Sequence, residues 1–201
     1  MSKDTYYTIS ANSEGLFKDK GSKFIALAFP VNSEMLAKER IEEIRKQHHG
    51  ARHHCYAYRV GTGEPYLYRM NDDGEPSGTA GKPIYGQILS RDLTNLLIVV
   101  VRYFGGILLG TSGLIKAYKK AAEDALNHAE ITQKIICEKM QLQFHYGLMN
   151  KVMRIVREES IEIAKQDFQT DCVMELWVRK NSEARVIERF ASIDKLNITK
   201  I

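Results

Sequence analysis

Residues 71–93 read NDDGEPSGTAGKPIYGQILSRDL, and residues 102–126 read RYFGGILLGTSGLIKAYKKAAEDAL. Between them lies a short continuous apolar run at residues 97–101, the pattern of a central strand buried on both faces. Each flanking stretch is a glycine-rich loop that opens an amphipathic helix. Glycines at this density let backbone approach a neighbour closely and let successive N–H groups converge on an anion. The helix N-termini behind both loops add favourable potential for phosphate. In the first helix Pro83 reads as the first helical residue, with Ile84, Tyr85, Ile88 and Leu89 on its apolar face. In the second, Leu114, Ile115, Tyr118, Ala122, Ala125 and Leu126 read as buried, opposite Lys116, Lys119, Lys120, Glu123 and Asp124.

Outward from this block the chain divides. Nearly all the glycines and all four prolines precede residue 127, and only Gly147 follows residue 134. That shift predicts two α+β domains, residues 1–130 and 135–201. In the first, strands are expected at residues 6–10, 23–31, 52–60 and 66–69. A helix capped by Ser33 lies between the second and third, burying Leu36, Ile41 and Ile44. Along 52–60, His54, Tyr56 and Tyr58 alternate with His53, Cys55 and Ala57, so the two sets face opposite ways. In the second domain, Met140, Leu142 and Phe144 alternate with polar residues. Leu148, Val152, Ile155 and Val156 recur at helical spacing, and Ile161 and Ile163 begin a strand that ends in a polar turn near residues 165–171. A strand of alternating Cys172, Met174, Leu176 and Val178, a helix with Val186, Ile187 and Phe190, and a strand with Leu196 and Ile198 complete the order β-α-β-β-α-β, the ferredoxin-like split pattern.

The second loop has the context of a phosphate site, after a central strand and before a helix. Gly105 and Gly106 can reverse the chain with positive φ. Gly110, Thr111, Ser112 and Gly113 lie where the first helical amides are free. Arg102 at the strand end and Lys116 near the first turn supply charge-assisted donors. No Gly-Lys-Ser/Thr follows, so this is not a Walker loop. A tight structural turn explains the same glycines equally well. In the first loop Asp72, Asp73 and Glu75 either hold Mg²⁺ through water or simply form an exposed turn, the commoner use of Asp-Gly and Glu-Pro. Ser77 and Thr79 suit local backbone bonding better than nucleophilic roles, although an approach by His53 or His54 stays open. The same loop contributes Gly74, Gly78, Gly81 and Lys82 to the candidate surface. His53 and His54 face opposite ways and so cannot share one metal ion. No catalytic residue, resident metal or cofactor is assigned. Trp177 reads as a core aromatic or as a base-stacking platform.

Composition narrows the class. The chain has 201 residues and a net charge of +4, which permits a polyanionic partner without requiring one. Three widely spaced cysteines, Cys55, Cys137 and Cys172, suit a reducing, cytoplasmic setting. No apolar run reaches membrane-span length, and the N-terminus has no signal-peptide core, so no membrane association is expected.

Several ordered motifs resemble the IMPACT family of YigZ-like proteins. They are HHCYAY at residues 53–58, DDGEPSGTAG at 72–81, RYFGG at 102–106, LGT at 109–111 and GLIKAY at 113–118. Ser112 departs from the pattern, standing where the family often has another glycine. The resemblance implies a first domain with the ribosomal-protein domain-2-like fold, shared with elongation factor G domain IV and with small-molecule kinases. It implies a ferredoxin-like second domain similar to domain V of that factor. In eukaryotes the family regulates a starvation-response kinase through a protein partner, with the help of an extra N-terminal module; this chain begins directly at the core.

Three functions follow as expectations. The first is a non-enzymatic, RNA- or ribosome-associated protein linked to translation. Its contact surface comprises His53, Asp72, Gly74, Glu75, Ser77, Gly78, Thr79, Gly81, Lys82, Arg102, Gly105, Gly106, Gly110, Thr111, Gly113 and Lys116, with Arg52, Lys119 and Lys120 nearby. The second is a small-molecule enzyme that holds a phosphate in the second loop. The third is a regulatory protein-interaction module whose loops are purely structural.

Overall fold

The structure is a computed structural model that describes residues 4–168 and 171–201. In chain order the elements are β1 (Thr5–Ile9), β2 (Ser13–Asp19), β3 (Ser22–Pro30), α1 (Glu34–Gln47), β4 (His53–Val60), β5 (Leu67–Asn71), α2 (Gly81–Ser90), β6 (Leu96–Tyr103), α3 (Gly110–Asn127), β7 (Ile131–Ile135), β8 (Cys137–His145), α4 (Met149–Glu158), β9 (Glu162–Phe168), β10 (Asp171–Arg179), α5 (Glu183–Ala191) and β11 (Leu196–Lys200). Two compact units emerge: residues 6–134, and residues 135–201 with residues 4–5. The mixed α+β class is as expected.

The larger unit is built on an antiparallel sheet in the order β2-β3-β6-β4-β5. β6 is its centre and is buried along all but its last residue, because one face meets α2 and α3 and the other meets α1. Phe24, Cys55, Ala57, Ile98 and Val100 belong to the first core, and Tyr56, Tyr58, Leu97, Val99 and Val101 to the second. Ser33 caps α1 as expected, its Oγ accepting from the Leu36 amide at 3.2 Å. No helix among the described residues is long and apolar enough to cross a membrane.

Several local expectations are corrected. β2 was not foreseen: its SEGLFKD pattern is weakly apolar, and Gly15 interrupts it. Gly15 is needed there because a Cβ would lie 2.2 Å from the Ala125 amide nitrogen of α3. α2 starts at Gly81, so Pro83 is its third residue, still within the turn that needs no N–H. Leu89 is 47% exposed while Gln87 is buried. On α3, Ile115 is exposed, and Ala117 and Ala121 fill the core instead. Small residues there let the helix lie close on β2 and β3.

The smaller unit has the β-α-β-β-α-β order, with its strands arranged β11-β8-β10-β9, all antiparallel. Met140, Leu142, Phe144, Cys172, Met174, Leu176 and Val178 line one core beneath α4 and α5. β9 runs through Lys165 to Phe168, where a polar turn was expected. Cross-strand pairing with β10 holds those polar residues extended. The remainder of the expected turn, residues 169–170, lies outside the described residues. Trp177 is not a core aromatic: it stands on the opposite face from Leu176 and Val178, 39% exposed, beneath the Lys139 ammonium.

Candidate functional site

The two glycine loops reach the helices behind them in opposite electrostatic states. In the first, Asp72 turns its carboxylate onto the start of α2. Oδ2 accepts from the Gly78 amide at 2.8 Å, and Oδ1 accepts from the Ala80 and Gly81 amides at 2.9 and 2.8 Å. The expectation that this helix end is open to phosphate is therefore overturned: the chain supplies its own anion. Gly81 is demanded by close approach, since a Cβ would meet Asn71 backbone at 2.8 Å. Thr79 is buried and donates its hydroxyl to the Pro76 carbonyl, the local bonding its sequence suggested. Ser77, Gly74 and Lys82 remain on the exposed rim of the loop.

The other carboxylates of this loop are also committed. Asp73 accepts from the His54 amide at 2.7 Å and from Arg45 at 3.1 Å. Glu75 is drawn inside. Its Oε1 accepts from Arg102 Nη1 at 2.6 Å and from the Tyr118 hydroxyl at 2.8 Å. The acids point to three different sets of partners, so the Mg²⁺ reading of the sequence has no shared site to stand on. Burial pushes the Cys55 thiol and the Tyr118 hydroxyl well above their ordinary values, and the two groups lie 3.3 Å apart. Cys55 is thus held as a buried, protonated thiol of the core.

The second loop leaves its helix open. α3 begins at Gly110 after Leu109, with no side-chain cap and no acid in its first turn. The first amides of such a helix have no intrahelical acceptor. Gly106 and Gly110 take positive φ, +89° and +71°. Gly105 does not, contrary to expectation. It is required instead because a Cβ would fall 1.9 Å from Gly21 backbone. Ser112 sits inside the helix and exposed, so serine is accommodated there. A Cβ at Gly113 would lie 3.0 Å from the Leu109 side chain, a tight approach.

A cavity of about 440 Å³ opens at this helix end. It draws Glu75 and Pro76 from the first loop, Phe104 and Leu108–Thr111 from the second, Arg52 and His53 from the start of β4, and Arg102 and Leu114. The loops therefore converge on one concavity at one end of the central strands, because the register sets His53 opposite Arg102. Of the residues expected from sequence, His53, Glu75, Arg102, Gly110 and Thr111 line it. The remaining loop residues shape or flank it, and Lys116 is exposed on α3 outside the lining. The apolar walls went unforeseen, since Phe104, Leu108 and Leu109 carried no signal beyond hydrophobicity. Exposure of Phe104 (49%) and Leu108 (82%) was not legible either.

Arg102 is the deepest cation. It is 6% exposed, with its guanidinium 5.5 Å from the Phe24 ring centroid and 5.6 Å from that of Phe104. Nη1 is held by Glu75, but Nε is buried without a hydrogen-bond partner among the described residues. A buried, unsatisfied charged donor costs about 1–3 kcal/mol or more, so its persistence asks for an acceptor. His53 Nδ1 lies 2.8 Å from the Asp73 carbonyl. A carbonyl only accepts, so Nδ1 carries the proton and Nε2 is the variable nitrogen. Arg52 is exposed at the rim.

The Impact N-terminal domain model matches residues 20–126, which hold β3 to β6 of the five-stranded sheet and both loops, and leave out β2. The IMPACT family member YvyE of Bacillus subtilis is 35% identical over 176 residues, covering 88% of this chain and 81% of its own. The family member YigZ of Escherichia coli is 36% identical over 151 residues, 75% of this chain and 74% of its own. A crystal structure of a hypothetical protein superposes with a TM-score of 0.74 at 29% identity, over the whole of this chain and 98% of the other.

Proposed function

We propose a function from the premise that this chain belongs to the IMPACT family: it is a non-enzymatic, RNA-associated protein of the cytoplasm that serves translation by gripping phosphate at the open end of α3. The observation that carries this reading is the contrast between the two loops. α2 is sealed by Asp72, whereas α3 opens on a cavity lined by Arg102, whose Nε has no partner among the described residues, and by the exposed Arg52. A helix N-terminus with converging amides and an Arg donor is the equipment of phosphate recognition. The two domain folds named by resemblance, those of elongation factor G domains IV and V, favour the ribosome as the place where that RNA is met. This part of the reading is fold analogy.

The enzymatic alternative has less to work with. Glu75 is tied to Arg102 and Tyr118, Asp72 and Asp73 to backbone amides, and Cys55 is buried. His53 alone offers an uncommitted ring nitrogen at the cavity.

Co-sedimentation with ribosomes and with total RNA across a salt series tests the proposal. The informative variant is Thr111→Glu, at an exposed position of the first turn of α3. It gives α3 the internal anion that Asp72 gives α2. It should stabilise the helix by about 0.3–1 kcal/mol through the dipole while abolishing retention at low salt. Retention that is salt-independent, or equal in Thr111→Glu and the parent, sinks the proposal.

A further inference from the structure

The depth of Arg102 selects among phosphate groups, and this inference rests on the phosphate reading of the cavity just given. Arg102 lies on the central strand, 6% exposed among Phe24, Phe104 and the Glu75–Tyr118 pair, and is one of the residues that line the cavity. An internal phosphodiester carries a sugar on each side. To bring its oxygen to Arg102, both arms must enter together a cavity walled by Pro76, Phe104, Leu108 and Leu109. A terminal phosphate monoester has a single arm. It also presents three free oxygens and a charge of about −1.5 to −2 at neutral pH, against two oxygens and one charge for a diester.

The donor set matches the monoester. Gly110 and Thr111 at the start of α3 line the cavity together with Arg102, whose Nε has no partner among the described residues, and with the exposed Arg52. Glu75 neutralises much of the Arg102 charge, so Nε acts as a directed donor and the attraction comes from Arg52 and the helix end. The walls are apolar, and a volume of about 440 Å³ is in the range of small-ligand sites, ample for a phosphate and part of the group it carries. We propose that the cavity binds a terminal phosphate monoester of a nucleotide, presented either by a free nucleotide or by the end of an RNA strand.

The test uses the full chain and three internally labelled oligoribonucleotides of one sequence, with a 5′-phosphate, with a 3′-phosphate and with neither. Binding is read by fluorescence polarisation, with adenosine monophosphate and adenosine as competitors. The expected result is at least tenfold tighter binding of a phosphate-ended strand than of the unphosphorylated one. Adenosine monophosphate should compete and adenosine should not. Arg102→Lys, which keeps a cation beside Glu75 but lacks Nε, should remove most of the preference; if it fails to fold, Arg52→Ala at the exposed rim replaces it. Equal binding of all three strands with a steep salt dependence overturns the monoester proposal and leaves the RNA reading standing. Binding of adenosine monophosphate without any strand supports the proposal and sinks the RNA reading. No binding of any probe by folded protein overturns both.

Discussion

Glu75→Gln separates what the buried pair does for the fold from what it does for the cavity. Glu75 Oε1 accepts from both Arg102 Nη1 and the Tyr118 hydroxyl, at 2.6 and 2.8 Å, with 4% of the Glu75 side chain exposed. A glutamine carbonyl can accept both bonds, so the change removes charge and leaves the geometry. Breaking a buried pair outright costs about 3–5 kcal/mol. With both bonds kept, the loss should shrink to about 1–2 kcal/mol, the margin of a charged over a neutral hydrogen bond. At the cavity the sign reverses. An anion seated on Nε lies about 6 Å from the Glu75 carboxylate, two hydrogen-bond lengths away. At an effective dielectric of 20 that repulsion is about 3 kcal/mol, and solvent at an open mouth should roughly halve it. Glu75→Gln is therefore expected to lower stability in urea unfolding followed by circular dichroism, and to tighten a 5′-phosphorylated oligonucleotide about tenfold. An affinity that drops together with stability would refute the reasoning. It would mean that Glu75 holds Arg102 in place for the ligand more than it shields it.

Five further outcomes follow from the same structure. Asp72→Ala strands three amides, two of them at buried residues, and should cost about 2–3 kcal/mol, seen as faster hydrogen exchange at residues 78–81; unchanged exchange there would contradict the cap. Gly15→Ala forces a Cβ to 2.2 Å from Ala125 and should destabilise by about 3 kcal/mol or more. Gly86→Ala meets nothing within 4 Å inside α2 and should stabilise by about 0.5–1 kcal/mol in thermal unfolding. His54 is held below its ordinary value of 6.5, chiefly by burial, although its Nε2–H donates to the His48 carbonyl and the Asp73 carboxylate lies near, both of which favour the charged ring. The unfolded chain then binds the extra proton, so this contribution to stability is complete above pH 6.5 and declines as pH falls through that value toward the lowered one. His54→Asn should flatten that slope in urea midpoints taken between pH 5 and 7.5. Finally, Cys137, half-buried, should be alkylated by iodoacetamide before Cys55 and Cys172, which are fully buried; first labelling of Cys55 by mass spectrometry would overturn its assignment to the core.

What was legible in the sequence was whatever periodicity carries. β6 announced itself as a run of β-branched residues, and the alternation of His54, Tyr56 and Tyr58 against His53, Cys55 and Ala57 gave both faces of β4. The β-α-β-β-α-β order was readable for the same reason. Long-range pairing was not. β1 and β7 form a two-stranded sheet across more than a hundred residues, and no local pattern encodes such a partner. Residues at the ends of amphipathic stripes also misled. Leu89 and Ile115 have the right spacing, but no element of the sheet lies over them, and both are exposed. The site was half legible. Glycine density located it, and His53, Glu75 and Arg102 were named, but burial of Glu75 and Arg102 depends on Tyr118 arriving from α3, 43 residues beyond Glu75.

The deepest ambiguity of the sequence was that two glycine loops looked alike, and their difference comes down to one carboxylate. Asp72 lies nine residues before Gly81, too far to be recognised as a cap from spacing, yet a positive φ at Asp73, Gly74 and Gly78 folds the loop back until its oxygens meet the α2 amides. Nothing equivalent precedes α3, where residues 103–109 contain no acid at all. The chain thus demonstrates on α2 what satisfies a helix start in this fold, an oxygen anion accepting two or three amides within 2.9 Å, and omits it on α3. A purely structural loop would gain about 0.3–1 kcal/mol from an acid in the first turn of α3, where Thr111 and Ser112 are exposed. That turn instead carries no acid, Leu109 before it lines the cavity, and on the proposed reading the amides are met by a ligand. On this argument Ser112→Glu, at an exposed position of the first turn, should make α3 resemble α2: a more stable helix and a closed site, read as a higher melting temperature with loss of oligonucleotide binding. A variant that is stabilised and still binds would show that the open helix end is not where the anion sits.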